Sequence, residues 1–168
     1  MKIAVIGASG NAGARITAEL ARRGHAVTAI ARNPEKIARL ANVIPTRGDA
    51  SDEAGLTQLL SGHDAAISSI HFLASDPAKL IGAAKASGVG RYLVVGGAGS
   101  LEVAPGVRLV TTPNFPAQYK AEAEKGAAFL ELGFVETTRE WINALLDQHF
   151  KQRCLEITGW EKLVKILL

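Results

Sequence analysis

The sequence predicts an α/β protein built on a doubly wound parallel sheet with strand order 3-2-1-4-5. Three observations carry that expectation. Short apolar runs alternate with helical patterns through residues 2–95. The first apolar run passes straight into Gly7, Gly10 and Gly13, and then into a helical pattern. Glycines also stand where successive helices should stop, at Gly24, Gly62 and Gly88, as helix C-termini prefer.

The elements follow in order. Residues 2–6 read as a buried strand. Residues 11–23 form a helix with Ile16 and Leu20 on one face. Residues 26–31 are the second strand. Asn33 as cap and Pro34 at the first position predict a short helix over 34–41. Residues 43–46 are a third strand, and 52–60 a helix carrying Leu56, Leu59 and Leu60. Residues 65–70 are the fourth strand. Asp76-Pro77 opens a helix with Leu80, Ile81 and Ala84 inward, and 91–95 is the fifth strand. Residues 96–116 read as loops with one strand at 107–111. Helices are expected over 117–132, closed by Gly133, and over 137–150, with Trp141 on the apolar side. A last strand at 153–158 and a terminal helical turn at 161–168 complete the reading.

At 168 residues the chain fits one domain, with a core at 1–116 and a divergent or reduced C-terminal lobe at 117–168. The hydrophobic fraction of 48% is ordinary for a globular protein. No apolar run is long enough to span a bilayer and no signal-peptide layout opens the chain, so a cytoplasmic protein with no membrane partner is expected. The single cysteine, Cys154, forms no internal disulfide and reads as a small buried residue. The net charge of +3 comes from scattered residues, which suits an anionic cofactor and does not call for nucleic acid. No cluster of His, Cys, Asp and Glu has metal-ligand spacing, so no metal is expected. His25, His63 and His149 read as surface, turn or helix-end residues.

The chemistry concentrates after the first strand. A strand running into a glycine turn and a helix offers unpaired N–H groups to a phosphate. Gly7 permits the tight turn, Gly10 lets backbone approach a pyrophosphate, and Gly13 lets the helix pack close to the strand. Ser9, Asn11 and Ala12 complete this cofactor turn. The competing reading is a glycine-rich turn with a structural role only. At the end of the second strand stands Arg32, where a carboxylate would favour a free 2′-hydroxyl. A guanidinium there suits a 2′-phosphate, so NADP(H) is expected over NAD(H), with Asn33 adding a hydrogen bond and Lys36 a second cation. The alternative is that Arg32 is a solvated surface charge. Asp49, beside Ala50, follows the third strand and suits the adenine amino group; it also suits a turn or helix cap, and the roles are not exclusive. Ligands lie outside the carboxyl ends of such strands, which adds Ser68, Ser69 and His71 after strand four, and Gly97 and Ser100 after strand five. Ser100 suits a hydrogen bond to a substrate carbonyl.

Together, the turn at residues 7–13, the segment 31–36, Gly48-Asp49, residues 97–101 and Phe115-Pro116 resemble the atypical short-chain dehydrogenase/reductases. Within these the sequence is similar to the NmrA-like, NAD(P)H-binding proteins labelled NADH-flavin or biliverdin-type reductases, part of the NAD-dependent epimerase/dehydratase superfamily. The resemblance covers residues 1–123. It implies a Rossmann fold, bound NADP(H), and hydride transfer to a flavin-like or small carbonyl or quinone acceptor. Two departures accompany it. Typical members use a Tyr-x-x-x-Lys pair, whereas Tyr119 is followed by Lys120 and the position four residues on is Ala123. Tyr119 is therefore a proton-donor candidate without its lysine. From Ala123 onward the chain departs from the family's substrate lobe and stops early, as a divergent lobe or an altered reading frame would. A reduced lobe implies an acceptor pocket that is open or completed by a second subunit in a homodimer.

Three functions follow. The first is an NADP(H)-dependent oxidoreductase with a small-molecule acceptor, in which Gly97, Gly99 and Ser100 do the positioning. The second is a non-catalytic NADP(H) sensor. The third, a sugar-nucleotide epimerase or dehydratase, is opposed by the absent Tyr-x-x-x-Lys pair and the short C-terminal region.

Overall fold

The computed structural model describes residues 1–131. The chain divides into two compact units, Met1–Val94 and Val95–Leu168.

The first unit is a five-stranded parallel sheet in the order β3-β2-β1-β4-β5, as expected. Its strands are β1 (Lys2–Ile6), β2 (Ala26–Ala31), β3 (Val43–Arg47), β4 (Ala65–Ser68) and β5 (Tyr92–Val94). Its helices are α1 (Asn11–Arg22), α2 (Glu53–Leu60) and α3 (Pro77–Ala86). Residues 3–6 of β1 are all buried, as a central parallel strand covered on both faces requires. On one face Val5, Ala8, Val27, Ala29, Ala31 and Ile37 form a cluster, joined by Ile16 and Leu20 of α1 and by Val43. The period of two along each strand sends Ala4, Ile6, Ile30 and Ala66 to the opposite face. Leu56 and Leu60 of α2 and Leu80, Ile81, Ala83 and Ala84 of α3 are the buried residues of their helices.

The helix boundaries have local causes. Asp52 caps α2 by accepting from the Gly55 N–H at 3.0 Å. Asp76 caps α3 by accepting from the Ala78 N–H at 2.9 Å, with Pro77 at the first position. The expected stops Gly24, Gly62 and Gly88 adopt φ of +78°, +73° and +69°, a region that glycine enters freely.

Three expectations for this unit are corrected. The helix over 34–41 is a single 3-10 turn, Pro34–Lys36. Ile37 leaves it in extended backbone and is buried in the cluster on β2. Burial of that side chain outweighs helix continuation, and Asn42 at φ 60° turns the chain into β3. Strand four stops at Ser68 rather than at residue 70, because its last rung pairs with Ile6, the end of β1. The Ser69 N–H still reaches the Ile6 carbonyl at 2.8 Å, and the chain then turns through the 3-10 segment Phe72–Ala74. The fifth strand is likewise shorter than 91–95. β3 is an edge strand with Pro45 at its centre.

The second unit begins with a 3-10 turn, Ala98–Ser100, and a hairpin of β6 (Glu102–Ala104) and β7 (Val107–Arg108). Gly106, at φ +73°, makes the hairpin turn. The strand expected at 107–111 is β7 followed by a 3-10 turn, Leu109–Thr111. Helix α4 spans Ala117–Glu131. The expected elements at 137–150, 153–158 and 161–168, together with Gly133, Trp141, His149 and Cys154, lie outside the described residues.

Candidate functional site

The glycine turn is built as a phosphate site requires. Gly7 sits at φ +83°, and the position of its absent Cβ is filled by the Ser69 carbonyl of β4's exit. Gly13 is buried, and a Cβ there would strike the Gly7 carbonyl, at 2.8 Å from the carbonyl carbon. A Cβ on Gly10 would meet the Gly7 oxygen at 3.3 Å. The turn is therefore closed to side chains at Gly7 and Gly13 and tight at Gly10. The Gly7 and Ala8 N–H groups donate to the Ile30 carbonyl at 2.9 and 3.1 Å, and the Gly10 N–H to the Gly7 carbonyl at 3.0 Å.

α1 begins differently from α2 and α3. Its cap residue is Gly10 and no side chain caps it, whereas Asp52 and Asp76 cap α2 and α3; like α3 it has no acidic residue in its first turn. The first intrahelical bond runs from the Ala14 N–H to the Gly10 carbonyl at 2.8 Å. The N–H groups of Asn11, Ala12 and Gly13 thus precede the helical ladder, at the positive end of the helix dipole. Ser9, Gly10 and Asn11 are exposed beside them. An anionic diphosphate fits this donor set.

Arg32 and Asn33 lie exposed immediately beyond β2. The Asn33 side chain does not cap the 3-10 turn that follows it. Asp49 takes the turn role: its Oδ1 accepts from the Ser51 N–H at 2.9 Å and from the Ser51 hydroxyl at 2.8 Å. These bonds hold its carboxyl below the usual carboxylate range, and the positive charge of Arg32 adds to the effect. Ala50, the next residue, is half-buried. The Lys79 ammonium donates to the Ser51 carbonyl at 3.2 Å and ties this loop to α3, a contact with no pattern in the sequence to announce it.

Ser68 and Ser69 separate in role. Ser68 is buried on β4 and interacts with the Tyr92 phenol, whose burial pushes its pKa up. Ser69 is half-buried, with its carbonyl under Gly7. His71 is exposed. In the second unit, the Ser100 hydroxyl donates to the Gly97 carbonyl at 3.1 Å, and Gly97 has open space where a Cβ would stand. Gly99 serves packing: a Cβ there would lie 2.5 Å from the Ala123 Cβ and 3.4 Å from the Val110 Cβ. Tyr119 is 59% exposed in the first turns of α4. The position four residues after it is Ala123, half-buried, whose Cβ packs on Gly99. Lys120 instead reaches Glu124, at 3.9 Å.

A parallel sheet ordered 3-2-1-4-5 with an uncapped glycine-turn helix after β1 defines a dinucleotide-binding protein of Rossmann type. The chain belongs to the NAD(P)H-binding family, which it matches over residues 7–133. It is 40% identical over 125 residues to YwnB of Bacillus subtilis (strain 168), an uncharacterised protein, covering 71% of this chain and 59% of YwnB. Among solved structures it is similar to a Burkholderia pseudomallei protein provisionally named as exported, with 42% identity and a TM-score of 0.67. It is also similar to a Streptococcus pneumoniae protein provisionally named an NADH-flavin reductase, with 37% identity and a TM-score of 0.60. Each structural match covers 79% of this chain and 65% of the other. The chain therefore spans about three-fifths to two-thirds of these relatives' lengths. Among the described residues no helix is long and apolar enough to cross a membrane.

Proposed function

We propose that this oxidoreductase-like, NAD(P)H-binding chain takes NADP(H) in preference to NAD(H) and serves hydride transfer from NADPH to a flavin-type acceptor. The observation that carries the cofactor preference is Arg32, exposed directly beyond β2, where a carboxylate would select a 2′-hydroxyl. The turn of Gly7, Ser9, Gly10, Asn11, Ala12 and Gly13 would hold the diphosphate. Arg32 and Asn33 would hold the 2′-phosphate. The bound dinucleotide supplies the hydride. A flavin ring spreads the incoming charge and takes its proton from water, so the protein is asked to bind and orient rather than to protonate. The absence of a lysine four residues after Tyr119, where Ala123 stands, suits that chemistry, and the flavin reductase named among the similar structures supports the acceptor class.

The test is a pair of fluorescence titrations with NADPH and NADH, followed by NADPH oxidation with free flavin. NADPH binds more tightly, and Arg32→Glu removes about 1.5–3 kcal/mol of NADPH binding, the range for a charge-assisted contact, while leaving NADH nearly unchanged. Equal losses for both cofactors would overturn the 2′-phosphate assignment. Tight binding without turnover on any flavin would overturn the acceptor.

A further inference from the structure

The end of β3 carries a cation that the dinucleotide reading does not yet use. Arg47 is the last residue of β3 and pairs in register with Ala31, the last residue of β2. Arg32 follows Ala31 directly. Backbone draws these two strand ends together: the Gly48 N–H donates to the Ala31 carbonyl at 3.1 Å. Gly48 also seats tightly, since a Cβ there would lie 2.6 Å from the Ile30 Cγ2 and 2.7 Å from the Leu59 Cδ1. A larger residue there would have to displace the Ile30 and Leu59 methyl groups or the loop itself.

Strand alternation fixes the side on which Arg47 leaves. Val43 packs on the cluster that contains Ala31 and Ile37, and Arg47, four residues along the same strand, shares its face. The Pro34–Lys36 turn belongs to that side too, because Ile37, its next residue, is buried in the same cluster. β3 is an edge strand, so the flank of Arg47 is open. Arg32, Lys36 and Arg47 are all exposed.

Charge then discriminates. A phosphomonoester carries about −1.5 to −2 at neutral pH. Segments 32–36 and 47–49 carry Arg32, Lys36 and Arg47 against Glu35 and Asp49. Without Arg47 the edge is neutral and gains little from a dianion. With it, the edge is positive, and two guanidiniums can each offer a fork of donors to phosphate oxygens.

We infer that Arg47 is a second specificity-determining residue, clamping the 2′-phosphate of NADPH together with Arg32. This rests on the 2′-phosphate reading of Arg32 given above. The experiment titrates wild type, Arg47→Ala, Arg47→Lys and Arg32→Glu with NADPH and NADH, and competes NADPH with 2′,5′-ADP and 5′-AMP. Arg47→Ala weakens NADPH and 2′,5′-ADP about tenfold, one charge-assisted contact's worth, and leaves NADH and 5′-AMP within about twofold. Arg47→Lys recovers part of the loss, because it restores the charge without the fork. Unchanged NADPH binding in Arg47→Ala, or equal weakening of both cofactors, overturns the inference. If Arg32→Glu alone selectively loses NADPH, the 2′-phosphate reading survives without Arg47. If wild type does not distinguish 2′,5′-ADP from 5′-AMP, both fall together. An unchanged thermal midpoint in Arg47→Lys separates a binding loss from unfolding.

Discussion

Replacing Gly13 with alanine should invert the usual sign of a glycine substitution within a helix. In an open helical position the change stabilises by about 0.5–1 kcal/mol. At Gly13 the new Cβ would fall on the Gly7 carbonyl and 3.0 Å from the Ala8 Cα. Neither atom can yield cheaply, because the Gly7 and Ala8 N–H groups are both tied to the Ile30 carbonyl. Overpacking of this kind costs about 1–3 kcal/mol, and subtracting the helix gain leaves a net loss of about 0.5–2 kcal/mol. Gly24→Ala is the control. Its φ of +78° carries a backbone cost of about 1–2 kcal/mol, but nothing lies within 4 Å of its new Cβ. The two variants should lose similar stability in urea, with the midpoint temperature falling by about 2–4 °C per kcal/mol in a protein of this size. They should part in the cofactor titration. Gly13→Ala displaces the turn and loses NAD(P)H, whereas Gly24→Ala binds as wild type. A Gly13→Ala protein more stable than wild type, or one that binds equally well, would refute the steric argument.

Further expectations are measurable on the same preparations. Asp52→Ala removes the α2 cap and should cost about 1 kcal/mol in urea unfolding, with cofactor affinity nearly unchanged. Gly99→Ala drives a methyl into the Ala123 side chain and should destabilise by about 1–3 kcal/mol, visible as a lower thermal midpoint. Hydrogen bonds from Arg22 and then Arg23 hold Glu19 down at about 2, against an ordinary value of 4.5. Its folded pKa lies below its unfolded one, so its contribution is complete above about pH 4.5 and fades as pH falls through about 2. Being partly exposed, the cluster is worth about 0.5 kcal/mol. The urea midpoints of wild type and Glu19→Gln should therefore differ at pH 7 and converge near pH 2.

What the sequence made legible follows from where the physics is local. β1 and β2 match their expected bounds, because short apolar runs bounded by glycine admit few other readings. The turn at Gly7, Gly10 and Gly13 was legible for the same reason: each glycine answers to a contact within a few residues or to the neighbouring strand. The helix over 34–41 was misread because its cap and Pro34 are local signals, whereas the burial of Ile37 against β2 is a tertiary one. Gly99, expected to help position the acceptor, also packs against Ala123, and that contact, twenty-four positions away in the sequence, has no local signal. The link from Lys79 to the Ser51 carbonyl joins two elements far apart in sequence and leaves no periodic trace.

Pro45 also bears on how this protein meets other chains. In a parallel pair, alternate residues of the edge strand bond inward. The bonds from the Val27 N–H to the Asn42 carbonyl and from the Gly48 N–H to the Ala31 carbonyl assign the even-numbered positions of β3 to β2. Pro45 is an odd-numbered position, so its nitrogen faces the free edge, where it has no hydrogen to offer. A strand pairing with β3 would find a missing donor halfway along it. A neighbouring Ile44 side chain that is 67% exposed would otherwise make this edge adhesive. One ring thus lets the sheet end in solvent without inviting edge-to-edge aggregation.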